Sequence, residues 1–341
     1  MKHLKNVLRA VVIATPLVLA MGAAEAEDAP KKMKFAFALT TGVENAWAES
    51  LLSSFKTIQE QKPHGLELSM NYTENVWGDK SMDVLQSYAE TGEYDVIWAH
   101  SSFSDEVEEL KEEYPEIMFV TVGSGNRPLG GNSYLVYMHL HEQAYLAGVL
   151  AGMTTKTDVL GIVGLFPADD VNDRINGFRA GAKAVNANVK VVVTFIESWY
   201  DPAKAMEAAN AQVAAKADII YQFGESFEAC KNNRIMCIGS YIDANPYAPE
   251  SVVTSVTANW QPVLGYVVDE WVKHKESGEP LNAPMEEIWF PMAAGTGELA
   301  PYHDFESVLS EETKEKVIET RDKIVSGELI VPLDTSLPVS D

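Results

Sequence analysis

The chain has 341 residues, with 26 Lys and Arg against 50 Asp and Glu and a formal net charge of −24. A length beyond the ~100–200 residues of one typical domain predicts two units, each with a sizeable core. A composition of 46% hydrophobic residues with 22 Gly and 16 Pro excludes disordered, collagen-like and disulfide-scaffold chains. The acidic excess repels phosphate backbones and anionic membrane surfaces, which argues against nucleic-acid binding through a basic footprint.

The first 26 residues read as a cleavable signal peptide. Lys2, Lys5 and Arg9 precede an apolar run from Ala10 to Gly22, and Ala24-Glu25-Ala26 supplies the small-x-small cleavage pattern. The run is too short for the ~20 apolar residues that span a bilayer. Loss of Lys2, Lys5, Arg9 and Glu25 takes the charge from −24 to −26. No Cys lies near the cleavage point, so the expectation is a periplasmic protein that is neither lipidated nor membrane-anchored.

Strand-length apolar runs then alternate with amphipathic stretches. Strands are predicted over Lys34–Thr40, Leu66–Asn71, Asp95–His100, Ile117–Gly123 and Ser133–Leu140, then Val159–Phe166, Lys190–Ile196, Asp218–Phe223, Arg234–Ser240 and Val252–Ala258. Helices are predicted over Asn45–Gln61, Lys80–Glu90, Asp105–Tyr114, His141–Thr155, Asn172–Val185, Ala203–Ala217 and Pro262–Lys275, with a last one over Glu311–Ser326. Such alternation specifies an α/β fold with doubly wound parallel sheets covered on both faces. The theme runs twice, once from Lys34 and again from Val159, which predicts two similar lobes. Lobe one is expected over 33–140 plus about 260–292, and lobe two over 141–259 plus about 293–335. The chain would cross between them near Met138–His141, Thr257–Trp260 and Pro291–Gly295.

In open parallel sheets ligands sit beyond the carboxyl ends of the strands. The candidates there are Thr41, Glu44, Asn45, Trp47, Ser101 and Ser102 in the first half, with Phe166, Trp199, Glu225, Tyr241 and Asp243 in the second, and Asn259 at a crossover. The rim is rich in aromatic rings and short polar groups and contains no basic residue. It suits a flat, uncharged heterocycle held between Trp47 and Trp199, each face contributing roughly 1–3 kcal/mol. Glu44, Glu225 and Asp243 would accept hydrogen bonds from ring N–H or hydroxyl groups, and Asn45 would donate or accept.

The stretch GFRAGAKAVNANVKVVVTFIESWYDPAKAMEAA, from Gly177 to Ala209, resembles the basic membrane protein family of solute-binding proteins. HEQAYLAGVLAGMTTKTDVLGIVG (His141 to Gly164) and TANWQPV (Thr257 to Val263) resemble its central segment and second crossover. The resemblance implies a type I periplasmic-binding fold and a purine base or nucleoside trapped between lobes. It also implies delivery to an ABC permease in the inner membrane. The expectation is a monomeric receptor with no cofactor and no covalent chemistry. It places the family's ring-stacking aromatics on Trp47 and Trp199. TTGVENAW departs from the family's Gly-rich, Asp-containing first turn, and Gln222–Tyr247 also diverges, which leaves riboflavin-type and other solutes open. A sensor module or a secreted nucleoside-processing enzyme are the rival readings, although no GxSxG, Walker or HExxH pattern is present.

Cys230 and Cys237 are separated by KNNRIM, which permits either a short-loop disulfide or two buried thiols. His139 and His141 share one face of a predicted strand, but no third ligand is apparent and no metal site is expected. The acidic helix from Ser104 to Glu116 reads as a solvated face.

Overall fold

The computed structural model describes residues 31–224 and 226–341; the signal-peptide reading and Glu225 lie outside these. In chain order the described residues form β1 (Lys32–Leu39), α1 (Ala46–Gln61), β2 (Glu67–Thr73), α2 (Lys80–Glu90), β3 (Val96–His100), α3 (Ser104–Leu110), β4 (Met118–Val122) and β5 (Ser133–Met138). They continue through α4 (Leu140–Thr154), β6 (Val159–Gly164), α5 (Asp169–Val185), β7 (Lys190–Phe195), α6 (Pro202–Ala214), β8 (Ile219–Gln222) and α7 (Glu228–Asn233). The remainder is β9 (Met236–Tyr241), β10 (Val252–Thr257), α8 (Gln261–Ser277), β11 (Ile288–Phe290) and α9 (Glu311–Val325).

Two sheets result, ordered β11-β5-β4-β3-β1-β2 and β10-β9-β8-β6-β7, with every strand pair parallel. Double-sided burial is written into β1. Phe35, Phe37 and Leu39 enter one core while Ala36 and Ala38 enter the core on the opposite face, the period of two that a pleated strand imposes. The second sheet has its own core, built on Leu160, Ile162, Ile219, Ile220 and the helices around them.

The chain passes from one core to the other three times. β5 ends in the first sheet at Met138, and α4 then packs in the second core. β10 lies in the second sheet, whereas Trp260 and the apolar face of α8 enter the first core. β11 pairs with β5, and Met292 follows in the second core.

α4 and α5 approach so closely that a Cβ on Gly148 would meet the Phe178 carbonyl oxygen at 2.0 Å and one on Gly181 would meet that of Tyr145 at 2.0 Å. Only glycine permits this spacing, which locks the first crossover helix onto the second core. Cys230 and Cys237 are joined by a disulfide that staples α7 to β9. Among the described residues, no helix is long and apolar enough to cross a membrane.

Candidate functional site

In both sheets the first strand lies between strands whose connections leave in opposite directions: β1 between β2 and β3, β6 between β7 and β8. At such a switch point the loops beyond the carboxyl ends diverge and leave a crevice. The two crevices meet in one cavity. It is lined by Thr40, Thr41, Asn45, Trp47, Ser101, Val122, Gly123 and Ser124 on the first sheet's side, and by Leu165, Asp170, Trp199, Phe223 and Tyr241 on the second's. It contains about 520 Å³ not occupied by protein atoms, part of it open to solvent.

Trp47 occupies the first turn of α1, whose start is fixed by Asn45: the Asn45 side-chain oxygen accepts from the Trp47 backbone N–H at 3.0 Å. The indole stacks on His100, centroids 4.3 Å apart and planes 10° from parallel. Trp260 meets it edge-on at 5.1 Å, and Tyr241 from the second sheet leans on it at 5.0 Å with a 58° tilt. The Trp98 indole N–H donates to His100 Nδ1 at 3.2 Å, so Nε2 carries the imidazole proton and faces the Trp47 carbonyl at 3.4 Å. Complete burial holds His100 neutral, its pKa lowered to about 3. Trp47 is therefore a half-buried ring with one face already seated, rather than a freestanding platform.

Trp199 follows β7 and packs on Phe166, centroids 5.1 Å apart. A wider opening beside the cavity shares Thr40, Thr41 and Trp199 with it and adds Glu44, Trp77 and Phe166. Thr41 is buried and its hydroxyl has no partner among the described residues, which leaves a donor and acceptor at the cavity wall.

Asp170, in the first turn of α5, joins the two sides. It accepts from Ser124 Oγ at 2.6 Å and from the Tyr137 hydroxyl at 3.3 Å. Behind the wall, Arg174 is fully buried, its Nη2 donating to the Tyr241 hydroxyl at 2.5 Å and its guanidinium lying over the Phe223 and Tyr241 rings at 4.2 and 4.5 Å. The sequence reading of a rim without basic residues holds for the strand ends alone, because Arg174 enters from within a helix. Tyr241 is held at φ +69°, a left-handed conformation that is strained for a tyrosine.

Of the sequence-derived candidates, Thr41, Asn45, Trp47, Ser101, Trp199 and Tyr241 line the central cavity, and Glu44 and Phe166 line its opening. Ser102 is exposed and lies against the turn at Gly125. Asp243 and Asn259 face a separate groove behind Tyr241. There Asp243 is paired with His303 at 2.7 Å, and Asn259 is spent on the Gly295 carbonyl and the Gln261 N–H. Sequence reasoning missed His100, Tyr137, Asp170, Arg174 and Phe223.

A family model described as Bmp, ABC transporter substrate-binding protein PnrA-like, matches residues 41–335. The chain belongs to this family. It is an extracytoplasmic substrate-binding protein of an ABC transporter, a class that binds a small solute and partners a permease. A purine-binding protein of Brucella abortus (strain 2308) is 26% identical over 269 residues, covering 78% of this chain and 73% of that one. A putative ABC transporter glucose-binding protein of Haloferax volcanii is 29% identical over 270 residues, covering 77% of this chain and 65%, just under two thirds, of that one. A solved ABC transporter solute-binding protein of Aeropyrum pernix K1 superposes with a TM-score of 0.71 at 16% identity, covering 89% of this chain and 94% of that one. That likeness fixes the fold, a type I periplasmic-binding architecture.

Proposed function

We propose that this receptor captures a planar heteroaromatic solute, a purine base or nucleoside, and carries out no covalent chemistry on it. The observation that carries the reading is a single cavity bordered by Trp47 on the first-sheet side and Trp199 on the second. A planar guest entering beside Trp47 replaces the tilted Tyr241 contact with a parallel stack on the indole face opposite His100. Stacking of this kind is worth roughly 1–3 kcal/mol per face. Thr41, Asn45, Ser101, Ser124 and Asp170 supply hydrogen bonds to the ring edge. The purine-binding relative agrees with this, and riboflavin-type solutes satisfy the same stacking logic. The glucose-binding name of the other relative points to a sugar, which the pairing of indoles does not require.

The lobes are 33–140 plus about 260–292 and 141–259 plus about 293–335, and guest contacts from both favour the closed arrangement. The protein acts as a periplasmic monomer released by signal cleavage, without a lipid anchor. Mass spectrometry of the protein under non-denaturing conditions, as first purified, tests the reading. A retained mass matching a purine base or nucleoside supports it; a retained hexose contradicts it.

A further inference from the structure

We propose that His139, His141 and Glu142, where the chain leaves β5 for α4, form a binding site for a first-row divalent cation of the zinc class. The two histidines do not share a strand, as the sequence reading has it: β5 stops at Met138, His139 caps α4, and His141 and Glu142 lie in its first turn. That helical start brings in the third ligand that a strand would have turned away. Each of the three side chains offers one ligand atom, and these atoms all lie within 4.8 Å of one another.

The protonation pattern suits a metal. His141 is 1% exposed, and its Nε2 faces the Val331 carbonyl oxygen at 3.2 Å. A carbonyl can only accept, so Nε2 carries the proton and the lone pair sits on Nδ1. Nδ1 is buried and has no hydrogen-bond partner among the described residues. A histidine whose second nitrogen donates to a backbone carbonyl is oriented as metal-ligating imidazoles are.

Glu142 is fixed as well: Oε2 accepts from the Met292 N–H at 2.6 Å, and Oε1 lies 3.5 Å from His139 Nδ1. A carboxylate oxygen of Asp173, a residue 1% exposed, lies 3.9 Å from His141 Nδ1, beyond hydrogen-bond reach, and its other oxygen has no partner among the described residues. A cation beside His141 would satisfy both orphaned atoms, with Asp173 as a fourth donor. Two imidazoles with carboxylates and no thiolate select zinc-like ions over Cu(I), calcium or magnesium. Zinc bonds of about 2.0–2.2 Å place ligand atoms roughly 3.3 Å apart, so the side chains must close in by about 1.5 Å. Because Glu142 also holds Met292, an ion here would tie the first crossover to the third.

Calorimetric titration of the chelator-treated full chain with zinc chloride tests the site, alongside His139→Ala and Glu142→Gln, which spare the buried His141. Glu142→Gln retains an oxygen for the Met292 N–H. The expected result is one equivalent bound at micromolar affinity or tighter, weakened at least about tenfold in both variants, with the circular dichroism spectrum unchanged. Failure of the parent protein to bind zinc at micromolar concentration, or undiminished binding in the variants, overturns the proposal.

Discussion

The imidazole of His100 lies flat against the indole of Trp47, ring centroids 4.3 Å apart and planes 10° from parallel. The contact joins the end of β3 to the start of α1. It works only with a neutral imidazole, because Nδ1 must accept from Trp98. Trp260 braces both rings edge-on at 5.1 Å. A ring supported on one face and along its edge is pre-oriented, so a guest meeting its other face does not have to order it.

This seat has a pH signature. The unfolded chain takes up protons as pH falls through the ordinary histidine value of 6.5, whereas folded His100 stays neutral to about 3 and His141 to about 4. The stability these residues contribute is thus present above pH 6.5 and declines as pH falls toward the folded values. Glu287, raised to about 7 chiefly by burial, and Asp173, also raised by burial, act in the opposite sense, since the folded chain keeps protons that the unfolded chain releases as pH rises. A difference measurement isolates His100. Between pH 6.5 and pH 4, His100→Gln should lose roughly 3 kcal/mol less folding stability than the parent. Denaturant titrations across that range should show the shallower slope; parallel curves would mean that the imidazole protonates freely in the folded protein.

Asp170 latches the two sides through Ser124 and Tyr137, by bonds of 2.6 and 3.3 Å. Ser124→Ala combined with Tyr137→Phe should cost the closed arrangement about 1–3 kcal/mol. Small-angle scattering of the ligand-free double variant should give a larger radius of gyration than the parent, reversed by saturating purine. An unchanged radius would assign closure to other contacts.

The Cys230–Cys237 bridge encloses a short loop with a sequence separation of 7. Closing so short a loop is worth about 2–3 kcal/mol through the unfolded state. Cys230→Ser with Cys237→Ser should lower stability by that amount, read from denaturant midpoints. Coincident midpoints would show the bridge to be energetically silent.

Much of this architecture is legible in the sequence because parallel strands buried on both faces must be nearly all apolar: VIWAH and MFVTV have no exposed residue and one polar residue each. β11 escapes such a reading, being three half-buried residues at a sheet edge. Thr41, Asn45, Trp47, Ser101 and Trp199 reach the cavity because each stands just past a strand. Asp170 does not follow that rule. α5 begins at Asp169, three residues before the predicted Asn172, and this turns what reads as loop into a helix N-terminus aimed across the cleft. Tyr137 and His100 lie inside strands whose side chains look like core, and only the closeness of the second sheet makes Tyr137 a cleft residue. Asp243 fails for the converse reason: it follows β9 as the rule asks, but His303 takes its carboxylate from another segment.

The most direct test of capture between indoles is calorimetric titration of refolded, ligand-stripped protein against adenine, hypoxanthine, guanosine, riboflavin and glucose, with Trp47→Ala and Trp199→Ala in parallel. A purine should bind at micromolar affinity or tighter, and each substitution should weaken it at least tenfold, about 1.4 kcal/mol. Tight glucose binding with no response to any heteroaromatic solute, or purine binding indifferent to both substitutions, would contradict the account.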